Sequence, residues 1–147
     1  MTLALRPATL LDACYVGARL RAEDAAEVMI FGLSGEDAIM HSMRGSLLCE
    51  CLTVDGEPAA VVGIALESFT SGTGCPWMLT TPAVERYPRA FARLTRELLA
   101  RGLLMADRLE NVIDARYTRA IRWLEWLGFT VEPEHAAGLR RFWMEKN

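Results

Sequence analysis

The residues with the most distinctive chemistry are the four cysteines and two histidines of this 147-residue chain. Cys49 and Cys51 are one residue apart, which suggests a metal site, but structural zinc usually needs two such pairs. The other two cysteines and both histidines stand alone in the sequence. Alternation along Leu47–Leu52 places Cys49 and Cys51 on one strand face, where free cysteine packs as a small hydrophobic residue. We predict no metal site, core cysteines in a reducing cytoplasm, and no Ser-His-Asp or Cys-His catalytic set.

A second group of potential functional residues is the run of five arginines between Arg86 and Arg101. Such a run can attract phosphate, or it can form the solvated face of a helix. The whole chain carries a formal charge of −3, whereas nucleic-acid-binding proteins usually show a basic surface. We therefore expect a solvated helix face and no nucleic-acid partner.

Composition places the chain among ordinary globular proteins. Hydrophobic residues make up 52% and charged residues 24% of the 147 residues, which suits one domain with its own core. The apolar run Ala59–Leu66 is far shorter than the ~20 residues of a membrane-spanning helix. The first residues show no basic segment followed by an apolar one, so we expect neither a secretory signal nor a membrane segment.

The first half of the chain is predicted to form a strand, three helices and a hairpin. Thr9 and Asp12 have the spacing of a capping box, and Ser34 repeats this pattern before a later helix. Asp55-Gly56 between two apolar runs predicts a tight hairpin because both residues tolerate positive φ. The predicted elements are a strand at Leu3–Pro7, helices after Thr9, at Ala22–Phe31 and at Ser34–Met43, and strands at Leu47–Val54 and Glu57–Glu67.

The second half is predicted to alternate strands and helices. Its glycines and Pro76 predict a flexible loop over Ser68–Pro76. Pro88 suits the first turn of a helix, and Gly128 suits the end of another. The predicted elements are strands at Trp77–Thr81, Leu109–Ala115, Phe129–Glu132 and Leu139–Glu145, and helices at Pro88–Arg101 and Thr118–Leu127.

Several segments, taken in order, resemble the GNAT acetyltransferases. They are Leu3–Thr9, the Asp55-Gly56 hairpin and Ala120–Phe129. The chain also resembles the internal virion protein A family of short-tailed bacteriophages, in Gly56–Ala60, Trp77–Thr81, Leu109–Val112, Ile121–Leu124 and Gly128-Phe129. The resemblance implies an α/β (α+β), GNAT-like three-layer fold in a single domain, 1–147. Its central sheet is expected to be mixed, mostly antiparallel and flanked by helices.

The resemblance also implies where a cofactor would bind. GNAT enzymes hold the acetyl-CoA pyrophosphate on backbone amides of a loop with the pattern Arg/Gln-x-x-Gly-x-Gly/Ala, at a helix N-terminus. Here Arg86–Phe91 occupies that place; Arg89 and Phe91 replace small residues, and Pro88 lacks a donor. The amide cradle is therefore expected to be missing, although arginines can attract phosphate. If acetyl-CoA binds, the implied residues are Leu79, Thr80, Thr81, Arg86 and Arg89.

The resemblance further implies which residues would carry catalysis. The tyrosine that often protonates the departing thiolate in such enzymes corresponds to Leu124. An asparagine often found seven residues earlier corresponds to Tyr117, which could stand in at the helix entrance. Glu110 and Glu67 are the candidates for the base that takes the proton of the amine.

These departures favour a phage-encoded GNAT-fold protein with a degenerate acetyl-CoA site. It would act without a cofactor in the virion or in virion assembly, through contacts with other phage structural proteins in the host cytoplasm. The alternative is an acetyl-CoA-dependent N-acetyltransferase acting on a small amine or a protein amine.

The positions of two tryptophans help to distinguish these two functions. Trp77 either lines a pocket or covers the core, and Trp126 either packs on the C-terminal strands or forms a protein contact.

Overall fold

The strand and helix boundaries follow the local signals of the sequence closely. The structure is a computed structural model, in which residues 2–66 and 71–146 are described. Over these ranges, the strands are β1 Leu3–Pro7, β2 Ser46–Val54, β3 Glu57–Leu66, β4 Thr73–Thr80, β5 Arg108–Asp114, β6 Thr130–Val131 and β7 Leu139–Glu145. The α-helices are α1 Leu10–Gly17, α2 Ala22–Ile30, α3 Gly35–Arg44, α4 Pro88–Met105 and α5 Thr118–Leu127. Short 3₁₀ helices lie at Pro82–Arg86 and Ala136–Gly138.

The strands pair in the order β1-β2-β3-β4-β5-β7-β6. The pairs β1–β2, β2–β3, β5–β7 and β6–β7 are antiparallel, whereas β4 and β5 are parallel. The β2–β3 hairpin turns at Asp55 and Gly56, whose φ angles of 51° and 87° suit the tight turn predicted from the sequence. The sheet is therefore mixed and mostly antiparallel, as predicted.

Contacts divide the chain into two compact units. Unit 1 comprises Met1–Ala65 and Trp77–Thr95, and unit 2 comprises Leu66–Pro76 and Arg96–Asn147. Three elements have residues in both units: β3, whose last residue Leu66 belongs to unit 2, β4 and α4. The prediction of one domain over 1–147 stays an expectation.

The core of unit 1 is built from α1, α2, α3 and the inner strands. Its buried members are Ala13, Val16, Val28, Ala38, Ile39, Val61 and Leu79. Trp77 is half-buried and packs against this core, with its indole N–H donating to Ser46 Oγ at 2.8 Å. A Cβ on Gly63 would lie 2.7 Å from the Trp77 ring, so the glycine makes room for the indole. The interpretation of Trp77 as a residue covering the core is therefore favoured.

Unit 2 is organised by β5, β7 and α5. Phe129 and Phe142 pack edge to face with ring centroids 4.9 Å apart. Gly128 ends α5 in the left-handed conformation with φ 110°, as its position after Leu127 predicts. Trp126 is 53% exposed and lies under the Arg96 guanidinium, 3.7 Å from the ring centroid, so it is not buried on the C-terminal strands; a protein contact through Trp126 stays a prediction.

Two boundary predictions are wrong. The loop predicted over Ser68–Pro76 gives way to strand β4 at Thr73, because Thr73 and Gly74 pair with β5, a distant partner that local signals do not reveal. The helix predicted to end at Arg101 continues to Met105, through the buried Gly102.

Glu67 and the first residues of the predicted loop, 68–70, lie outside the described residues. Within the described ranges, no helix has the length and apolar character needed to cross a membrane.

Candidate anion-binding site at the start of helix α4

The segment between β4 and α4 is fixed by Thr81, which is 4% exposed. Its N–H and its hydroxyl both donate to the carbonyl oxygen of Ala59, at 2.8 and 3.0 Å. The same hydroxyl oxygen accepts from the N–H of Ala83 at 3.3 Å and so caps the 3₁₀ helix Pro82–Arg86. Helix α4 then begins at Pro88, where the missing N–H costs no helical hydrogen bond. The hydrogen bonds of Thr81 therefore fix the backbone just before α4 begins.

A cleft of about 370 Å³ lies at this helix start, wholly within unit 1. It is lined by Arg86, Tyr87, Pro88, Arg89, Ala90 and Arg93. All three arginines are exposed, and none of them forms an ion pair or hydrogen bond within residues 2–66 and 71–146. Three exposed guanidinium groups with no ion-pair partner among the described residues surround this cleft and make a surface suited to an anion.

The first turn of α4 adds backbone donors to this surface. The N–H of Phe91 donates to the carbonyl oxygen of Tyr87 at 2.9 Å. The N–H groups of Arg89 and Ala90 have no partner in the part of the chain that the structure describes, as is usual for the first turn of a helix. Phe91 is 9% exposed and belongs to the interior. Arg89 and Phe91 thus stand where small residues were expected, and the amides of Arg89 and Ala90 remain available beside the guanidinium groups.

Tyr87 connects the cleft to the β2–β3 hairpin. Its hydroxyl donates to Asp55 Oδ2 at 3.2 Å, and Asp55 Oδ1 accepts from the N–H of Thr2 at 2.8 Å. The hydrogen bond from Thr2 contributes most to lowering the pKa of Asp55, and Tyr87 and Arg86 lower it further. Partial burial and the neighbouring carboxylate raise the pKa of Tyr87. At neutral pH the pair is therefore a carboxylate and a neutral phenol.

The predicted cofactor residues fall into two groups. Arg86 and Arg89 line the cleft, whereas Leu79, Thr80 and Thr81 do not. Leu79 belongs to the core of unit 1, and Thr80 donates through its N–H and hydroxyl to Asp24 Oδ2, at 3.0 and 2.7 Å. The side chains of these three residues therefore have structural partners.

Sequence reasoning does not assign Arg93 or Tyr87 a role in this site, and it misses the contact of Tyr87 with Asp55. Arg93 follows Arg89 by four residues, so helical spacing is the signal that could place both on one face. No local pattern reveals the Tyr87–Asp55 hydrogen bond, because the two residues are 32 positions apart.

The predicted catalytic residues are not arranged as an evident acid–base pair. In unit 2, Glu110 Oε1 accepts from Arg108 Nε at 2.8 Å, and its Oε2 lies 3.6 Å from Arg141 Nη1. Glu110 therefore belongs to an ion-pair network. Tyr117 is half-buried at the N-terminus of α5, and Leu124 is 9% exposed on the buried face of that helix.

The cysteines are poor candidates for ligands or nucleophiles. Burial is the largest cause that raises the pKa of Cys49 to about 11 and that of Cys51 to about 12. A thiol is far less reactive than a thiolate, and metals also bind the thiolate. Over the described ranges, no group of three histidine, cysteine or acidic residues could hold a metal ion.

The fold is shared with solved acetyltransferase structures. An acetyltransferase from Thermus thermophilus superimposes with a TM-score of 0.70 and 17% identity, over 99% of this chain and 98% of that one. The ribosomal-protein-S18-alanine N-acetyltransferase of Escherichia coli gives a TM-score of 0.66 and 16% identity, over 98% and 94%. An aminoglycoside acetyltransferase in complex with coenzyme A, AAC(6')-Ib, gives 0.70 and 16%, over 99% and 95%.

Sequence comparison adds no closer relative: no family model and no curated protein matches this chain. At these identities the structural likeness defines the GNAT acetyltransferase fold and leaves the activity open.

Proposed function

We propose that this protein is an acetyl-CoA-dependent N-acetyltransferase that acts on a small amine or a protein amine. The observation that carries the proposal is the cluster of Arg86, Arg89 and Arg93 around the first turn of α4. This cluster follows the fourth strand, in a fold shared with an acetyltransferase that was solved with coenzyme A. In this protein the guanidinium groups would bind most of the phosphate oxygens, which the backbone amides of a glycine-rich loop bind in the GNAT pattern.

The described residues fit the phosphate groups of acetyl-CoA. Arg86, Arg89 and Arg93 would form charge-assisted hydrogen bonds with phosphate oxygens, and the free amides of Arg89 and Ala90 would add two donors. When bound, acetyl-CoA supplies the activated acetyl group. Leu79, Thr80 and Thr81 would contribute backbone contacts at most, since their side chains have structural partners.

Acetyl transfer to an amine also requires proton transfer. The acceptor amine must lose a proton, and Glu110 and Glu67 remain the proposed bases. Both carboxylate oxygens of Glu110 face guanidinium groups, so Glu110 would have to leave this ion-pair network to accept the proton. Tyr117, at the entrance to α5, is the proposed polar residue near the departing thiol.

Calorimetric titration with acetyl-CoA tests the binding step. We expect micromolar binding to the native protein and a loss of at least about tenfold in affinity for the Arg86→Ala/Arg89→Ala variant, because two charge-assisted hydrogen bonds are removed. The control is Arg44→Ala/Arg122→Ala, which removes the same charge from two exposed positions outside the cleft. Equal losses in both variants, or no binding at millimolar acetyl-CoA, would contradict the proposal.

The second candidate function is a phage protein that works in the virion or its assembly through protein contacts, without a cofactor. Arg89 and Phe91 in place of the glycines, and Leu124 in place of the acid, favour this candidate. The exposed Trp126 beneath Arg96 is the proposed contact point, since tryptophan and arginine are frequent in interface hot spots. Mass spectrometry of purified phage particles, compared with the lysate, would support this candidate if the protein were enriched in particles and bound no acetyl-CoA.

A further inference from the structure

The exposed face of helix α5 carries a tryptophan that an arginine holds in place. Trp126 is 53% exposed, and the Arg96 guanidinium lies over its ring, 3.7 Å from the centroid. Arg96 Nη2 also donates to the carbonyl oxygen of Trp126 at 2.9 Å. Both residues belong to unit 2. Because two contacts already hold these side chains together, less conformational freedom is lost when a partner binds to them.

Two further arginines lie on the same side of α5 as this tryptophan. The buried face of the helix is apolar and is centred on Leu124. At about 100° per residue, Arg119, Arg122 and Trp126 fall within about 60° of one another on the opposite side. All three are exposed, and they span about 10 Å along the helix axis. We call these three residues, together with Arg96, the Trp126 surface.

The Trp126 surface is positively charged, and its charges are not neutralised by the protein as described. Over residues 2–66 and 71–146, none of Arg96, Arg119 and Arg122 forms an ion pair. Glu125 follows Arg122 by three positions on the same helix, yet the two do not pair. Arg96 uses one N–H for the Trp126 carbonyl, whereas a guanidinium group carries five. The whole chain has a formal charge of −3, so this surface concentrates charge of the opposite sign.

We propose that the Trp126 surface binds an acidic segment of another protein, with carboxylates on the arginines and an apolar side chain on the indole. Guanidinium groups form strong hydrogen bonds with carboxylates, and arginine and tryptophan are enriched in interface hot spots. A peptide fits better than a nucleic acid, because three arginines along about 10 Å contact few phosphates and the net charge of −3 repels a polyanion. The proposal holds under either candidate function, since it requires no acetyl-CoA.

Fluorescence anisotropy with a labelled acidic peptide tests this proposal. The probe is a nine-residue amidated peptide that repeats Leu-Glu-Glu, and a matched peptide has glutamine in place of every glutamate. We expect the native protein to bind the glutamate peptide with micromolar affinity and at least about tenfold more tightly than the glutamine peptide. Raising the salt concentration should weaken this binding, because exposed charges are screened.

Variants of the protein locate the binding site. Trp126→Ala and Arg119→Gln/Arg122→Gln are each expected to weaken binding at least about fivefold, as hot-spot residues do. The matched control is Arg44→Gln/Lys146→Gln, which removes the same charge from two exposed positions outside the Trp126 surface. We expect this control to stay within about twofold of the native affinity, because distant exposed charges are screened.

Four results would overturn the proposal. They are an equal loss in the control, native affinity in both surface variants, no binding of the glutamate peptide at millimolar concentration, and tighter binding of a single-stranded DNA of the same charge. Thermal unfolding shows whether each variant is folded. If Trp126→Ala proves unstable, the Arg119→Gln/Arg122→Gln variant decides alone, because both of its substitutions are at exposed positions.

Discussion

At the scale of single residues, Asp12 shows how one side chain can serve a helix and a strand together. Its carboxylate accepts from the Thr9 N–H at 2.8 Å, which completes the capping box of α1. It also receives both terminal nitrogens of Arg6 from β1, at 2.6 and 2.7 Å. Asp12 is 2% exposed. A buried carboxylate is tolerated here because both of its oxygens are bonded to donors.

Replacing Asp12 with asparagine is expected to lower the free energy of unfolding by about 1–2 kcal/mol at pH 7, since charged hydrogen bonds and part of a cap are lost. Burial raises the pKa of Asp12, but hydrogen bonds from Arg6 and Thr9 outweigh it and lower the pKa below 3.8. A lowered carboxyl pKa stabilises the fold above about pH 4, and this contribution is lost as the pH falls through the folded-state value.

Urea unfolding of the native protein and the Asp12→Asn variant between about pH 2.5 and 7 measures this effect. The difference in stability should be greatest at neutral pH and should shrink below about pH 4. A difference that stays constant down to the lowest pH would show that the charge of Asp12 does not contribute.

Some roles of single residues can be predicted from the sequence and others cannot. It correctly predicts the Thr9–Asp12 and Ser34 caps and the Asp55-Gly56 turn, because each depends on residues within three positions of one another. It does not predict the partners Arg6–Asp12, Tyr87–Asp55 and Thr80–Asp24. The last two pairs join segments 32 and 56 positions apart, and only the folded chain brings them together.

At the scale of elements, α1 and α3 meet through two glycines. A Cβ on Gly17 would lie 2.6 Å from Glu36 Cα and 2.8 Å from the carbonyl carbon of Gly35. A Cβ on Gly35 would meet the backbone of Gly17 and lie 2.8 Å from Leu20 Cδ1. The helices therefore approach so closely that backbone packs on backbone, and neither helix can give way by rotating a side chain.

Gly17→Ala is expected to lower the free energy of unfolding by about 2–3 kcal/mol, because the added methyl group must push α1 and α3 apart. Gly45→Ala is the matched control: no atom lies within 4 Å of its added Cβ, and its φ of −93° suits alanine. We expect the control to stay within about 1 kcal/mol of the native protein. Thermal unfolding measures both, and an equal change in the two variants would contradict the close helix contact.

Element boundaries are predictable where local signals are strong. Helix α5 and strand β1 have the predicted bounds, since Gly128 marks the end of α5 and Pro7 marks the end of β1. Strand β4 begins earlier than predicted because pairing of Thr73 and Gly74 with β5 overrides the turn preference of glycine. Helix α4 continues beyond Arg101 because the cost of one glycine in a long helix is only about 1 kcal/mol.

At the scale of the whole molecule, the fold is more predictable than the function. The GNAT-like sheet follows from the order of elements, which the sequence patterns reveal. The resemblance to a phage virion protein family remains a prediction, while the structural neighbours are acetyltransferases. The cleft at α4 is only partly predictable, since its arginines can be identified from the chain, whereas their lack of ion-pair partners among the described residues cannot.

The central claim is that acetyl-CoA binds at the start of α4. Amide hydrogen exchange measured residue by residue by NMR, with and without acetyl-CoA, tests it most directly. The N–H groups of Arg89 and Ala90 have no partner in the described structure, so we expect fast exchange without ligand and marked slowing when phosphate oxygens accept from them. Unchanged exchange at Arg89 and Ala90 under saturating acetyl-CoA would show that acetyl-CoA does not bind at the start of α4.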